Sequence, residues 1–302
     1  MDRTTLAACA WMTGSVLSFS LMAVAAREVS DVHDTFEIMA FRSLVGVVLV
    51  WGFLAATRRT GAARTRLPMR HVVRNVAHFT GQNLWFLALA SAPLAQVFAV
   101  EFTAPIWVLL LAPILLGERV RRVQVAVALV GFAGVLIVAS PWSGTVAPGL
   151  AWGALAAFVF ALTNLLTRRL TRTDSVATIL VWLTGTQLLM GVACTAVDGA
   201  VAWPTARTAP WLAAIGVAGL AAHLCLTQAL ARAPASTVMP VDFARLPLIA
   251  VVGAVAYGEA IEPSVLLGGA VIVAAAWANL RLAARPVAAA PLSAATADRS
   301  PT

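Results

Sequence analysis

The chain matches itself when it is shifted by 141 residues. The stretch LASAPLAQVFAVEF (89–102) lies over LARAPASTVMPVDF (230–243) without a gap, and Gly117-Glu118 falls on Gly258-Glu259. Trp11 falls on Trp152, and Arg27 on Arg168. Single identities are cheap in so apolar a sequence. An Ala-Pro turn, an acidic-Phe pair and a Gly-Glu pair at fixed distances are not. The chain therefore consists of two halves that must share one local fold.

The solvent of that fold follows from composition. Apolar residues make up 61% of the chain and charged residues 11%, against roughly a quarter charged in soluble domains. A chain of 302 residues cannot hide that much apolar surface from water. The apolar runs are about 20 residues long, which suits helices crossing a ~30 Å hydrocarbon core. Alternating ten-residue strands are absent, which argues against a β-barrel. The pattern predicts an all-α polytopic membrane protein with ten transmembrane helices, at 6–26, 36–57, 71–90, 94–116, 122–140, 149–168, 176–197, 209–230, 236–257 and 263–282. The first run ends in an Ala23-x-Ala25 pattern like a signal-peptide site, but it is longer than a typical h-region and matches an internal span, so it is read as retained.

Each repeat, 6–140 and 149–282, holds five spans. An odd number makes the second half enter the membrane from the opposite side, giving two inverted repeats. That arrangement characterises secondary transporters, whose sites lie at the repeat interface near the midplane. The segment 283–302, with Pro286, Pro291 and Pro301, is expected to be a disordered cytoplasmic tail.

The formal charge of +8 does not indicate nucleic acid. Every basic residue is Arg, and nearly all sit in short loops, where they report topology. With the N-terminus inside, inner segments hold seventeen arginines and outer loops hold Arg27 and Arg207. Both termini are expected on the cytoplasmic side of the inner membrane. Cys9, Cys194 and Cys225 lie in separate apolar segments, so no disulfide and no metal site is expected.

Ionisable groups inside the membrane are functional candidates by default. Arg42, Glu101, Asp242 and Arg245 stand out and sum to zero charge. Helical rise puts Arg42 and Glu101 both roughly 10 Å below the outer surface, where a salt bridge between them is open. Asp242 and Arg245 are i,i+3 neighbours. Gln82, Asn83 and His223 fall near mid-membrane, with Asn75, His78 and Gln228 as further polar groups; helix packing uses such residues as well. Trp85, Phe86, Phe98, Phe102, Trp107 and Phe243 are candidates for stacking on a substrate. Pro105, Pro113 and Pro247 remove backbone hydrogen bonds and are expected to kink their helices, which a membrane tolerates where the helix faces protein or a wet cavity. Glu118 and Glu259 lie at helix ends and read as structural. Gly131, Gly134, Gly268 and Gly269 favour close packing of the fifth and tenth spans.

Two five-span halves, each ending its fourth helix in Gly-Glu, resemble the drug/metabolite transporter superfamily, in the branch with paired EamA domains. FEIMAFRSLVGVVLV, EFTAPIWVLLLAPILLGERV and DFARLPLIAVVGAVAYGE are similar to that family's second, fourth and ninth helices. The resemblance implies a secondary transporter of a small metabolite. Pro105 stands where the family usually has proline; the second half has Leu246 there and Pro247 one place later, so the two breaks are expected to differ.

An intramembrane enzyme and a non-transporting membrane receptor or assembly factor are the competing classes; no GxSG, HExxH or DDxxD pattern supports the first, and the inverted repeat argues against the second. No nucleotide-binding loop is present, so energy would come from a substrate gradient or a coupling proton, and no cofactor is expected. The balanced charges favour a zwitterion: efflux of an amino acid or related compound is the first reading, uptake of a vitamin or nucleoside-type metabolite the second.

Overall fold

A computed structural model describes residues 3–91, 97, 100–139, 149–198, 201–257 and 263–283. They form ten helices of thirteen residues or more: α1 (Arg3–Arg27), α2 (Thr35–Ala56), α3 (Pro68–Ser91), α4 (Ala104–Leu116), α5 (Arg122–Ala139), α6 (Leu150–Leu170), α7 (Val176–Asp198), α8 (Ala209–Arg232), α9 (Arg245–Tyr257) and α10 (Pro263–Ala283). Glu259, Phe98 and the tail from 284 lie outside the described residues. In hydrocarbon every backbone group must be satisfied within the segment, and a helix does that.

Helices α1, α2, α6, α7 and α8 are each long and apolar enough to cross a membrane. Helix α3 has the length (24 residues) but carries Arg74, Asn75, His78 and Gln82 on closely spaced positions, which lowers its hydropathy. Helices α4 and α9 are short, 13 residues each, because their spans are interrupted. The chain turns at Phe102-Thr103 before α4, and a 3-10 segment, Met239–Ala244, precedes α9.

This changes the role of the prolines. Pro105 does not kink a continuous helix; it is the second residue of α4, where its missing N–H has no helical acceptor to lose. Pro247 is likewise in the first turn of α9. The one-residue offset between the prolines does not displace the break, because α4 begins at Ala104 and α9 at Arg245, which are repeat mates. At the far end of α4, Gly117 takes φ +66°, the left-handed C-cap that glycine adopts at no steric cost.

The packing has the symmetry of the repeat. Helix α1 lies along α8, and their mates α6 and α3 lie along each other. The other two extensive contacts, α2 with α7 and α5 with α10, are each between mates. Two five-helix halves related by a two-fold axis in the membrane plane give this pattern. On the axis, Phe102 meets its mate Phe243 with ring centroids 6.2 Å apart, both fully buried with Val135 and Ile272. A Cβ on Gly134 would lie 2.9 Å from the Gly268 carbonyl oxygen, and one on Gly131 3.0 Å from Phe243, so these glycines let α5 and α10 close on the axis. Large apolar side chains such as Ile114, Leu189 and Val255 face outward, as a lipid-facing surface requires. The chain is a multi-pass membrane protein.

Candidate functional site

The two interrupted spans deliver their carboxylates to the same place. Glu101 sits at the first break and Asp242 at the second, and both line a cavity of about 120 Å³ between the repeats. That is roughly ten times the minimum that holds one water. Arg245, the first residue of α9, serves both carboxylates through one nitrogen: Nη2 lies 2.6 Å from Glu101 and 3.3 Å from Asp242. The Trp85 indole donates to the second Glu101 oxygen at 2.7 Å. The Arg245 guanidinium also lies over the Phe102 and Phe19 rings, 5.1 and 5.7 Å from their centroids, a cation–π geometry.

Glu101 is therefore paired across the repeats with Arg245 and not with Arg42. Both of its oxygens are already engaged. The Asp242–Arg245 neighbours do pair, as their spacing allows.

Arg42 reaches the same cavity from α2. It has no hydrogen-bond or ion-pair partner among the described residues. Space for its guanidinium is made by Gly219, where a Cβ would stand 3.2 Å from Nη2. Gln82 and His223 line the cavity too. Asn83 does not; its amide turns back to the Phe79 carbonyl at 2.8 Å, a bond within its own helix.

Sequence reasoning missed Arg74. It is one of the seventeen arginines that the charge distribution places in inner segments, yet it is buried and lines the cavity. Its Nε donates to Thr167 at 2.8 Å and its Nη1 to Asn75 at 2.9 Å. The signal was available: Arg74, His78, Gln82 and Trp85 are spaced four, four and three apart, one stripe of a helix. His78 and His223 meet edge to face, centroids 4.7 Å apart. Phe19 packs on His223 and Phe160 on His78, so aromatic rings flank the imidazole pair. Trp85 and Phe86 also line the cavity, whereas Phe102 and Phe243 bury each other. Trp107 packs on Phe158.

Polar ties join the halves at both ends of the bundle. At one end Glu118 accepts from Arg168 at 3.1 Å and from the Ala235 amide at 3.1 Å, while Arg168 also bonds the Leu230 carbonyl. At the other, Glu37 closes a capping box with Asp34. It also contacts His33 at 3.2 Å, and His33 reaches Thr208 at 3.0 Å. The Ala202 amide donates to the second Glu37 oxygen at 2.5 Å. No cluster of His, Cys, Asp or Glu suited to a metal occurs among the described residues.

Comparison with known proteins gives a consistent picture. Residues 6–140 and 147–281 match the model of the EamA-like transporter family. The chain is 32% identical over 288 residues to a riboflavin transporter of Rhizobium johnstonii, covering 90% of each protein. It is 23% identical to an S-adenosylmethionine uptake transporter of Rickettsia bellii, covering 88% of this chain and 90% of that one. It is 28% identical to the pseudopaline exporter CntI of Pseudomonas aeruginosa, covering 87% and 92%. A crystal structure superposes with TM-score 0.79 at 22% identity, covering 92% of this chain and 97% of the other, which shows a shared fold.

Proposed function

Because the chain belongs to the EamA-like transporter family, a family of transporters rather than enzymes, we propose that it moves a flavin-type metabolite, a flat polar ring compound, into the cell by alternating access. The observation that carries this reading is the lining of the cavity, which at about 120 Å³ widens as the repeats move to admit a flavin. The mates Phe19 and Phe160 flank it, and His78, His223 and Gln82 supply hydrogen-bonding groups beside them. Flat rings stack on such side chains, and a few placed polar groups fix orientation. The similarity to a riboflavin transporter over nine-tenths of both chains supports the ring chemistry. The similarity to an uptake transporter supports the direction.

In this reading Arg42, Gln82, Glu101, His223, Asp242 and Arg245, with Arg74 and His78, contact the substrate or the ions that accompany it. The Glu101–Arg245–Asp242 group is the proposed seat of a coupling proton. Both termini face the cytoplasm of the inner membrane, as the arginine distribution supports.

Purified protein in proteoliposomes should accumulate labelled riboflavin or its 5′-phosphate in counterflow, and amino acids should not compete. Transport of amino acids with neither flavin carried would overturn the reading. It would favour the second one, export of an amino acid or related compound, which is supported by the apposed carboxylate and guanidinium walls of the cavity and by the likeness to an exporter. Cysteine labelling at 60–65 from the cytoplasm and at 143–147 from outside tests the orientation; the reverse pattern would reject it.

A further inference from the structure

Three guanidinium groups and two carboxylates line the cavity. Arg245 is shared by Glu101 and Asp242. Arg42 and Arg74 have no carboxylate partner among the described residues. Arg74 is held only by the neutral Thr167 hydroxyl and Asn75 amide oxygen, and Arg42 by nothing described. Arg42, Arg74, His78 and His223 all line the same cavity, and the two imidazoles meet edge to face, so the four groups form one wall.

That wall is unsatisfied. His78 and His223 are 6% and 2% exposed, and both ring nitrogens of each lack a hydrogen-bond partner, as does the Gln82 side-chain oxygen. A buried polar atom without a partner is costly, and an uncompensated charge at membrane depth more so. The counter-group has to come from what enters the cavity. A guanidinium presents a planar fork of donors that matches a carboxylate or phosphate and does not suit a cation.

We propose that Arg42 and Arg74 form an anion subsite that takes a carboxylate or phosphate group of the substrate, with the unpartnered ring nitrogens of His78 and His223 beside it. The opposite wall, Glu101–Arg245–Asp242, then faces the rest of the molecule. One negative charge on the substrate makes up the difference between three guanidinium groups and two carboxylates. This deepens the transporter reading and rests on it, but it does not depend on the flavin ring.

The test is binding to the purified full-length protein, followed by thermal stabilisation, with riboflavin, riboflavin 5′-phosphate, inorganic phosphate and glutamate as probes. The 5′-phosphate should bind about tenfold more tightly than riboflavin, the scale of one charge-assisted contact. Arg42→Gln, which removes a side chain with no described partner, should fold as the parent does and erase the preference. Arg42→Lys should restore part of it. Stronger competition by phosphate than by glutamate identifies a phosphate group, and the reverse a carboxylate. If no anionic probe stabilises the parent, or if Arg42→Gln weakens both flavins equally, the subsite is refuted even where riboflavin is transported. Anion binding without any transport in proteoliposomes would instead sink the transporter reading.

Discussion

The two repeats build one cavity from equivalent backbone positions with unlike side chains. Eight mate pairs line it, among them Phe19 with Phe160, Gln82 with His223 and Glu101 with Asp242. Yet Arg42, Arg74 and His78 of the first repeat correspond to Leu183, Ile215 and Gly219 of the second. Both guanidiniums of the cationic wall therefore come from the first half, and the second half adds His223 and, at Gly219, room for the Arg42 guanidinium. Arg245 is the reverse case, standing where the first half has Ala104. Duplication preserved the helix ends and breaks; divergence of side chains made the cavity polar in one direction.

The largest expected effect tests the group both halves share. Arg245→Ala leaves a buried and a half-buried carboxylate facing each other without their cation, and should cost about 3–5 kcal/mol of stability, read as a large fall in the unfolding temperature in detergent together with loss of transport. Arg42→Gln removes a charge with no described partner, so it should not lower the unfolding temperature of the ligand-free protein and should raise it slightly. Equal destabilisation by the two variants would erase the distinction between the shared wall and the one-sided wall.

A second asymmetry lies on the axis. Gly134 is opposed by the backbone of α10, and its mate is Ala275. Gly134→Ala would bring a Cβ to 2.9 Å from a carbonyl oxygen, and backbone cannot give way as a side chain can. The expected cost is about 1–3 kcal/mol, visible in thermal unfolding. A neutral result would mean that α5 and α10 separate freely.

A smaller destabilisation than at Gly134 belongs to Gly219→Ala. The nearest atoms are the ends of Arg42 and Met22, at 3.2 and 3.3 Å, and both can shift. Stability should change by less than about 1 kcal/mol, while substrate affinity falls several-fold because the guanidinium is displaced. Unchanged affinity would show that Arg42 is not held in place for a ligand.

Much of the architecture was legible because it is local. Span lengths, the 141-residue repeat and the odd span count need only hydropathy and register, and the prolines marked both breaks to within a few residues. The site was less legible for reasons of geometry. Pairing of Glu101 with Arg245 rather than Arg42 depends on how α9 is rotated against α3 and α4, and nothing within either segment encodes that. Arg74 was hidden by its place one turn into α3, where counting charges by loop assigns it to the membrane surface. The His33–Glu37 tie shows only its i,i+4 half in sequence; its other partner, Thr208, is 175 residues away.

One stoichiometry in the cavity bears on ancestry. A residue on a two-fold axis meets its own copy, as Phe102 meets Phe243. Had the halves once been separate, identical subunits, every group beside the axis would have come in twos: two carboxylates with no arginine, or two carboxylates with two. A single guanidinium divided between two equivalent carboxylates cannot be written in such a dimer. It becomes available only when both halves are joined in one polypeptide and position 245 can change without changing position 104. Joining two halves in one polypeptide thus permits an odd count of charges at the centre of an even fold.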